Sequence, residues 1–353
     1  MSSSRYRARR SAAAALGVLV LAAAPAAATM ADPPPGLAVG HLTQVVWSQW
    51  SDDGGSMRVM TSYGDGSDAH PVTAFVPGQW DTDPHLSPNG RTVLFERLFP
   101  DDFANTVMTV AIDGTGEHAI DVGCHQGCLK TDSPTWGPGG HSIWFTKVLG
   151  DLDQPDTTWT SALWSADSSG KHLRRESPAS IDGTYEEYSA MFLPSGERVN
   201  RMYWPAVVRS TVIKTDRDGT RHQLTDWSVD ADLAHVSPVT TGPTAGLVVF
   251  ETLGSGGRPP GVAQQVATVP SSCGSVEACA PLVRYLTPHE QDPLTGAQSY
   301  NASWSPDGSR IVFVRETSTG ADVWTMTPDG QDQRPLVTDP RWDFRPEWGR
   351  SAP

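Results

Sequence analysis

Three shortages in this 353-residue chain each exclude a class of protein. Cysteine is scarce, with only Cys124, Cys128, Cys273 and Cys279 present, too few for a small scaffold stapled by disulfides. Basic residues are outnumbered, 26 Lys and Arg against 40 Asp and Glu, and no basic block follows the first ten residues. A formal net charge of −14 argues against nucleic acid or an anionic membrane surface as partner, since both need cationic patches. Long apolar runs are missing too. The one sustained stretch, Ala12 to Ala24, is shorter than the roughly 20 residues a spanning helix requires, so membrane insertion is not expected.

That stretch has another reading. Arg5, Arg7, Arg9 and Arg10 precede it, and Ala26-Ala27-Ala28 follows as an Ala-x-Ala cleavage signal. A cationic start, a short apolar core and small residues at the end describe a secretory signal peptide. The Arg9-Arg10 pair is a poor match to twin-arginine export. The expected organisation is a signal peptide over 1–28, a disordered linker over 29–42, a folded region over 43–350 and a tail over 351–353. Cleavage would remove four Arg and no acid, moving the net charge from −14 to −18. The expected location is secreted or extracytoplasmic, in the cell envelope, and the charge suits a monomer that repels its copies. An oxidising destination favours two local disulfides, Cys124 with Cys128 and Cys273 with Cys279. His118 and His125 near the first pair invite a zinc reading, but the second pair is far along the chain and a structural site needs four converging ligands.

What the chain has in plenty is Trp (13), Gly (33) and Pro (29). Trp fills wide gaps between packed sheets, and Gly and Pro punctuate turns, so short strands are expected. Laid on itself, the chain repeats. The clearest copy, Ser299 to Val337, holds four strand-like runs broken by Pro306-Asp307-Gly308 and Asp329-Gly330, with Ile311, Phe313, Val323 and Met326 in period-two patterns. Further copies begin near Asp81, Ser133, Tyr188 and, in degenerate form, Ala234. The bulky residues before each turn are Leu86, Trp136, Phe192, Val236, Trp304 and Trp348, spaced by 50, 56, 44, 68 and 44 residues. Periods of this size signal a propeller or array. Asp343 to Trp348 starts a copy that the C-terminus cuts short, whereas the N-terminal copy opens on a second strand, Val45-Val46-Trp47. Together they would make one blade. The predicted fold is all-β: a six-bladed β-propeller with four-stranded antiparallel blades, its ring closed by the C-terminal strand joining the N-terminal blade.

The motif Asp-x-x-Pro-x-Trp-Ser-Pro-Asp-Gly, followed by an alternating strand and a late Asp-Gly turn, resembles the repeat of the TolB-like, WD40-like propeller family. Asp343 to Trp348 and Ser303 to Gly308 match halves of it; Asp81 to Gly90 matches with Leu86 and Asn89 substituted. The resemblance implies a secreted bacterial member without the N-terminal domain of TolB itself, since only residues 29–42 separate the signal from the first strand. It speaks to fold more than to function.

Chemistry is expected where the innermost strands converge. The position three before the Pro of each repeat carries Asp81, Thr131, Glu187, Ala231, Ser299 and Asp343. Three carboxylates on one ring, Asp81, Glu187 and Asp343, would suit Ca²⁺ or a cationic group; alternatively each accepts backbone N–H bonds nearby. His85 and His235 share the position just after the Pro or Ala, with Glu347 there in the closing blade, and strand alternation should turn this position toward a neighbouring blade. The acidic run Asp151 to Asp156 lacks the pattern of a Ca²⁺ loop, and Leu253 to Gly257 is no nucleophile elbow. Trp136, Trp304 and Trp348 belong to the repeat and its core. Trp50, Trp80, Trp159, Trp204 and Trp227 fall outside it and are candidates for an exposed recognition surface.

The sequence thus points to a non-catalytic secreted propeller binding a protein, a peptide or a cell-envelope glycan through its loop face, with no cofactor required. The competing reading is a metal-assisted polysaccharide lyase or hydrolase using the channel-mouth carboxylates and histidines. A sensor or assembly module beside a separate enzyme is a third. Convergence of Asp81, Glu187, Asp343, His85 and His235 on one point would favour the lyase reading; carboxylates splayed into blade interfaces would oppose it.

Overall fold

The computed structural model describes residues 43–100, 104–125, 127–153, 159–178, 185–253, 260–292 and 294–352. The expected signal peptide and linker lie outside these, as do parts of the acidic run after Asp153 and of the Gly-rich run after Leu253.

Nearly all regular structure is strand, arranged in antiparallel groups of four. The first sheet holds β1 (Thr43–Trp50), β2 (Met57–Tyr63), β3 (His70–Pro71), β4 (Trp80–Leu86), β5 (Thr92–Phe99), β6 (Ala104–Ala111) and β7 (His118–Ala119), together with the last strand of the chain, β24 (Asp343–Arg350). One parallel bridge, Met57 opposite Trp80, joins β2 to β4, so the sheet falls into halves β24-β1-β2-β3 and β4-β5-β6-β7. Four separate sheets follow. They comprise β8 (Cys128–Trp136), β9 (Ser142–Leu149), β10 (Thr160–Asp167) and β11 (Arg174–Arg175); then β12 (Glu186–Phe192), β13 (Arg198–Trp204), β14 (Arg209–Thr215) and β15 (Arg221–Gln223). The last two are β16 (Asp232–Val236), β17 (Leu247–Glu251), β18 (Val266–Pro270) and β19 (Arg284–Tyr285); and β20 (Gln298–Trp304), β21 (Ile311–Thr317), β22 (Gly320–Met326) and β23 (Arg334–Val337).

The bulky repeat residues Leu86, Trp136, Phe192, Val236 and Trp304 each end the first strand of a group. What stops the strand is the turn chemistry after them. Ser305 donates its hydroxyl to Asp307, whose carboxylate accepts the Ser309 N–H, while the Arg310 N–H returns to Ser305 Oγ. Asn89 takes the place of Asp307 in the Ser87 turn and accepts the same bonds. Gly308 and Gly90 sit at φ 68° and 72°, a left-handed conformation that admits glycine without steric cost.

The core is built between groups rather than within them. Val46, Val59 and Val72 pack on Leu86, Val93, Phe95 and Met108, and Leu94, Val107 and Ile120 on Ile143 and Phe145. Leu193, Val199 and Val212 meet Val248 and Phe250; Val249 and Val266 meet Trp304, Ile311 and Phe313. Val45, Trp47 and Met60 of the first group pack on Val312 and Val323 of the last. Burying two apolar faces per sheet explains why alternation in these strands is weak.

Both cysteine pairs are disulfides, Cys124–Cys128 and Cys273–Cys279, and no described cysteine is free. Among the described residues no helix is long and apolar enough to cross a membrane. The off-pattern tryptophans are not freely exposed. Trp50 and Trp80 meet edge to face at 4.9 Å, Trp204 and Trp227 pack on each other and on Tyr185, and Trp159 donates to the Asp151 carbonyl.

Candidate functional site

The first strands β4, β8, β12, β16 and β20, with β24, end around one cavity of about 330 Å³. One residue from each strand reaches it at the same repeat position: His85, Thr135, Met191, His235, Ser303 and Glu347. Trp136, Phe192, Trp304 and Trp348 contribute to its wall, and Pro88, Pro138, Pro238 and Pro306 form its rim together with Arg350.

A backbone irregularity puts those six side chains there. In each of the six strands the residue two positions earlier is left-handed: Asp83 (φ 54°), Ser133 (49°), Ser189 (54°), Leu233 (43°), Asn301 (51°) and Arg345 (54°). Each marks a β-bulge. Thr82 lies opposite Glu96 but His85 opposite Leu94, three residues against two, and the same slip recurs in the other five strands. One extra residue reverses the alternation. His85 therefore shares a face with Thr82 and not with Asp81.

The carboxylates read from the repeat are thereby separated from the histidines. Asp81 is fully buried and accepts two bonds from Arg97, at 2.7 and 2.9 Å, and Arg97 also reaches Glu117. Burial raises the Asp81 pKa against the pull of Arg97. Glu187 is held by Arg198 (3.0 Å) and Arg221 (2.6 Å). Asp343 accepts from the Trp47 indole (2.9 Å) and the Gln49 amide (3.0 Å), and its second oxygen is buried without a partner. Burial pushes the Asp343 pKa up to about 8. None of the three lines the cavity.

The histidines do come together, which strand alternation did not anticipate. His85 and His235, from β4 and β16, stack with ring centroids 6.0 Å apart and planes at 17°. His85 Nδ1 bonds the Glu347 carboxylate, whose other oxygen accepts the Leu86 N–H at 2.9 Å. Burial pulls the His85 pKa down, but the charge and hydrogen bond of Glu347 outweigh it and the net shift is upward. For His235 burial dominates, reinforced by His85 and opposed by Glu347, and its pKa falls to about 4.

Beneath the histidines lies a polar interior that the repeat did not advertise. Arg345 pairs with Asp83 at 3.1 Å, Lys130 with Asp132 at 2.8 Å, and Arg201 with Asp232 at 3.3 Å, between the rings of Tyr188 and Tyr203. Glu251 accepts the Asn301 backbone and side-chain N–H groups, and burial with Asp232 nearby lifts its pKa to about 7. These residues stand at or beside the bulge, where most copies of the repeat carry different residue types, so comparing copies could not reveal them. Among the described residues no three His, Cys, Asp or Glu side chains are grouped so as to hold a metal ion.

No family model matches the chain. A short stretch is 40% identical over 50 residues to the Tol-Pal system protein TolB of Anaeromyxobacter dehalogenans strain 2CP-C, covering 14% of this chain and only 12% of that relative. By fold, 88% of the chain superposes on 67% of TolB from Acinetobacter baumannii with a TM-score of 0.63 and 15% identity. A putative TolB from Agrobacterium tumefaciens aligns over 87% of this chain and 98% of its own, with a TM-score of 0.55 and 15% identity.

Proposed function

Starting from a chain that is a TolB-like β-propeller in motif and fold, we propose an exported six-bladed ring that binds a protein or peptide segment at its channel mouth and catalyses no reaction. The observation that carries this reading is the convergence of six strand ends on one cavity, each giving one side chain to its floor. At about 330 Å³ it lies at the small end of ligand pockets, which run from roughly 300 to 1,000 Å³. Such a cup takes the tip of a loop or an extended segment better than a whole domain surface. Its prolines and tryptophan edges offer apolar contact, and His235 and Ser303 offer hydrogen bonds. The repeat carboxylates Asp81, Glu187 and Asp343 are committed to arginines, a tryptophan and a glutamine away from the cavity, and the one carboxylate at the mouth, Glu347, is committed to His85 and the Leu86 N–H.

Closure into a ring is part of the proposal. Its support is that β24, from the C-terminus, pairs with β1, and that polar contacts join successive groups: Arg345 to Asp83, Asn105 to the Thr131 carbonyl, Ser161 to Glu186, Arg201 to Asp232, Glu251 to Asn301, and Ser303 to the Trp348 N–H. Export is supported by the two disulfides and the expected signal peptide. The TolB relatives carry the words Tol-Pal system in their name, which favours a protein ligand in the envelope over a glycan.

A photo-crosslinking amino acid at Pro238, on the cavity rim, tests the binding reading in the secreting host; the same group at the exposed Thr220 turn is the control. A discrete adduct with one polypeptide at Pro238 and not at Thr220 is expected. Equal labelling at both would refute a mouth-specific partner. Depolymerisation of an acidic polysaccharide by the purified protein, dependent on Ca²⁺ or Mn²⁺, would refute the non-catalytic part.

A further inference from the structure

The two stacked histidines stand between two spaces. Both line the mouth cavity, and both line a smaller chamber beneath it, shared with Asp83, Ser133, Ser189 and Leu233. The chamber has a volume of about 10 Å³, room for roughly one water molecule. Ser189 Oγ, in its wall, is buried and has no hydrogen-bond partner. With Thr135 and Met191, which also line both spaces, the two rings form the partition between the mouth and the chamber.

The two rings are held very differently. His85 is fixed on one side by Glu347 and stands 4.0 Å from Asp83 on the other. Neither ring nitrogen of His235 has a hydrogen-bond partner among the described residues, and neither is among the buried polar atoms left unsatisfied, so both touch solvent. Among the described residues its one ring contact is with the face of His85. A ring held by packing alone is freer to change rotamer than a partner tied to a carboxylate.

We infer that His235 is a gate between the mouth and the polar interior of the channel, shut while its neutral ring stacks on His85 and opened by acid. The charged and titratable groups facing it are His85 and Asp83 from β4 and Glu347 and Arg345 from β24; β12 and β20 present Met191 and Ser303, which carry no charge. Glu347 raises the His85 pKa while that of His235 is lowered, so at the acid pH that charges His235 its neighbour already carries a proton and two like charges stand face to face. Two cations at stacking distance repel, and the ring with no tether is the one that leaves. Burial and the neighbouring His85 already resist that proton, which keeps the gate shut near neutral pH. The inference does not depend on what the mouth binds.

Since no described cysteine is free, a thiol introduced as Ser189→Cys reports on the chamber alone. Its modification by a small methanethiosulfonate reagent is measured at pH 7 and pH 4.5, relative to Thr220→Cys on an exposed turn. The relative rate should rise at least fivefold at pH 4.5 and should stay flat when His235→Phe is added, because Phe stacks and cannot be protonated. An equal rate at both pH values, or the same rise with His235→Phe, overturns the gate. Should the Ser189→Cys protein not fold, the His235 ring carbon shift is followed by NMR against pH in the unaltered chain. Loss of its through-space contacts to His85 on protonation supports the gate, and their persistence overturns it.

Discussion

At the scale of single residues, burial decides more than proximity in sequence. Asp343 was legible as a special acid, since it opens the last copy of the repeat, but its partners Trp47 and Gln49 lie almost the whole chain away and no spacing rule reaches them. A carboxyl with its pKa near 8 in the folded state and about 3.9 when unfolded binds a proton on folding across that interval. The stability it gives is complete below about pH 4 and is lost as the pH climbs through 8. Asp343→Asn keeps an oxygen for Trp47 and Gln49 and cannot ionise. Denaturant unfolding at pH 5 and pH 8 should show the unaltered protein losing on the order of 1–3 kcal/mol between the two, and the variant losing much less. The same loss in both proteins would mean that Asp343 is not the group responsible.

At the scale of elements, most strands could be read and their facing could not. Period-two patterns and Pro-Asp-Gly turns place the ends of β4, β8, β12, β16 and β20 correctly, because turn chemistry is local. The bulge is not local. Asp, Ser, Ser, Leu, Asn and Arg occupy it in turn, so no side chain marks it, and only pairing with the next strand reveals the extra residue. That one residue moved His85 and His235 out of the blade interfaces and into the mouth, while leaving Asp81, Glu187 and Asp343 behind. Leucine is the least suited of the six to φ 43°, since a left-handed L-residue costs roughly 1–2 kcal/mol and Asn relieves part of it with its short polar side chain. Asn301 already holds the same place in β20. Leu233→Asn should therefore raise the melting temperature by about 1–3 °C despite the apolar area lost. A clear drop would mean that packing around Leu233 outweighs the backbone strain.

At the scale of the whole molecule the question is how the chain ends meet. The repeat made the answer legible: a final copy with only a first strand and an initial copy without one imply that the two combine. In the structure β24 lies on β1 with Val45 opposite Trp348 and Gln49 opposite Asp343. Its loss would do more than bare one edge. Trp47 and Gln49 would lose Asp343, His85 would lose Glu347, Asp83 would lose Arg345, and the Val45–Trp47 face would lose the cover of Trp348. In the proposed ring each group of four strands would bury its faces on two neighbours, so a gap between first and last would leave two apolar faces in water rather than one. Removing residues 341–353 should then abolish the cooperative melt or lower it by more than about 10 °C. A synthetic peptide of residues 341–353, added in excess, should recover part of it, because a ligand that binds only the folded state stabilises that state. An unchanged melt without the strand would mean that the ends are joined by something other than β24, and the six-bladed ring would have to be given up.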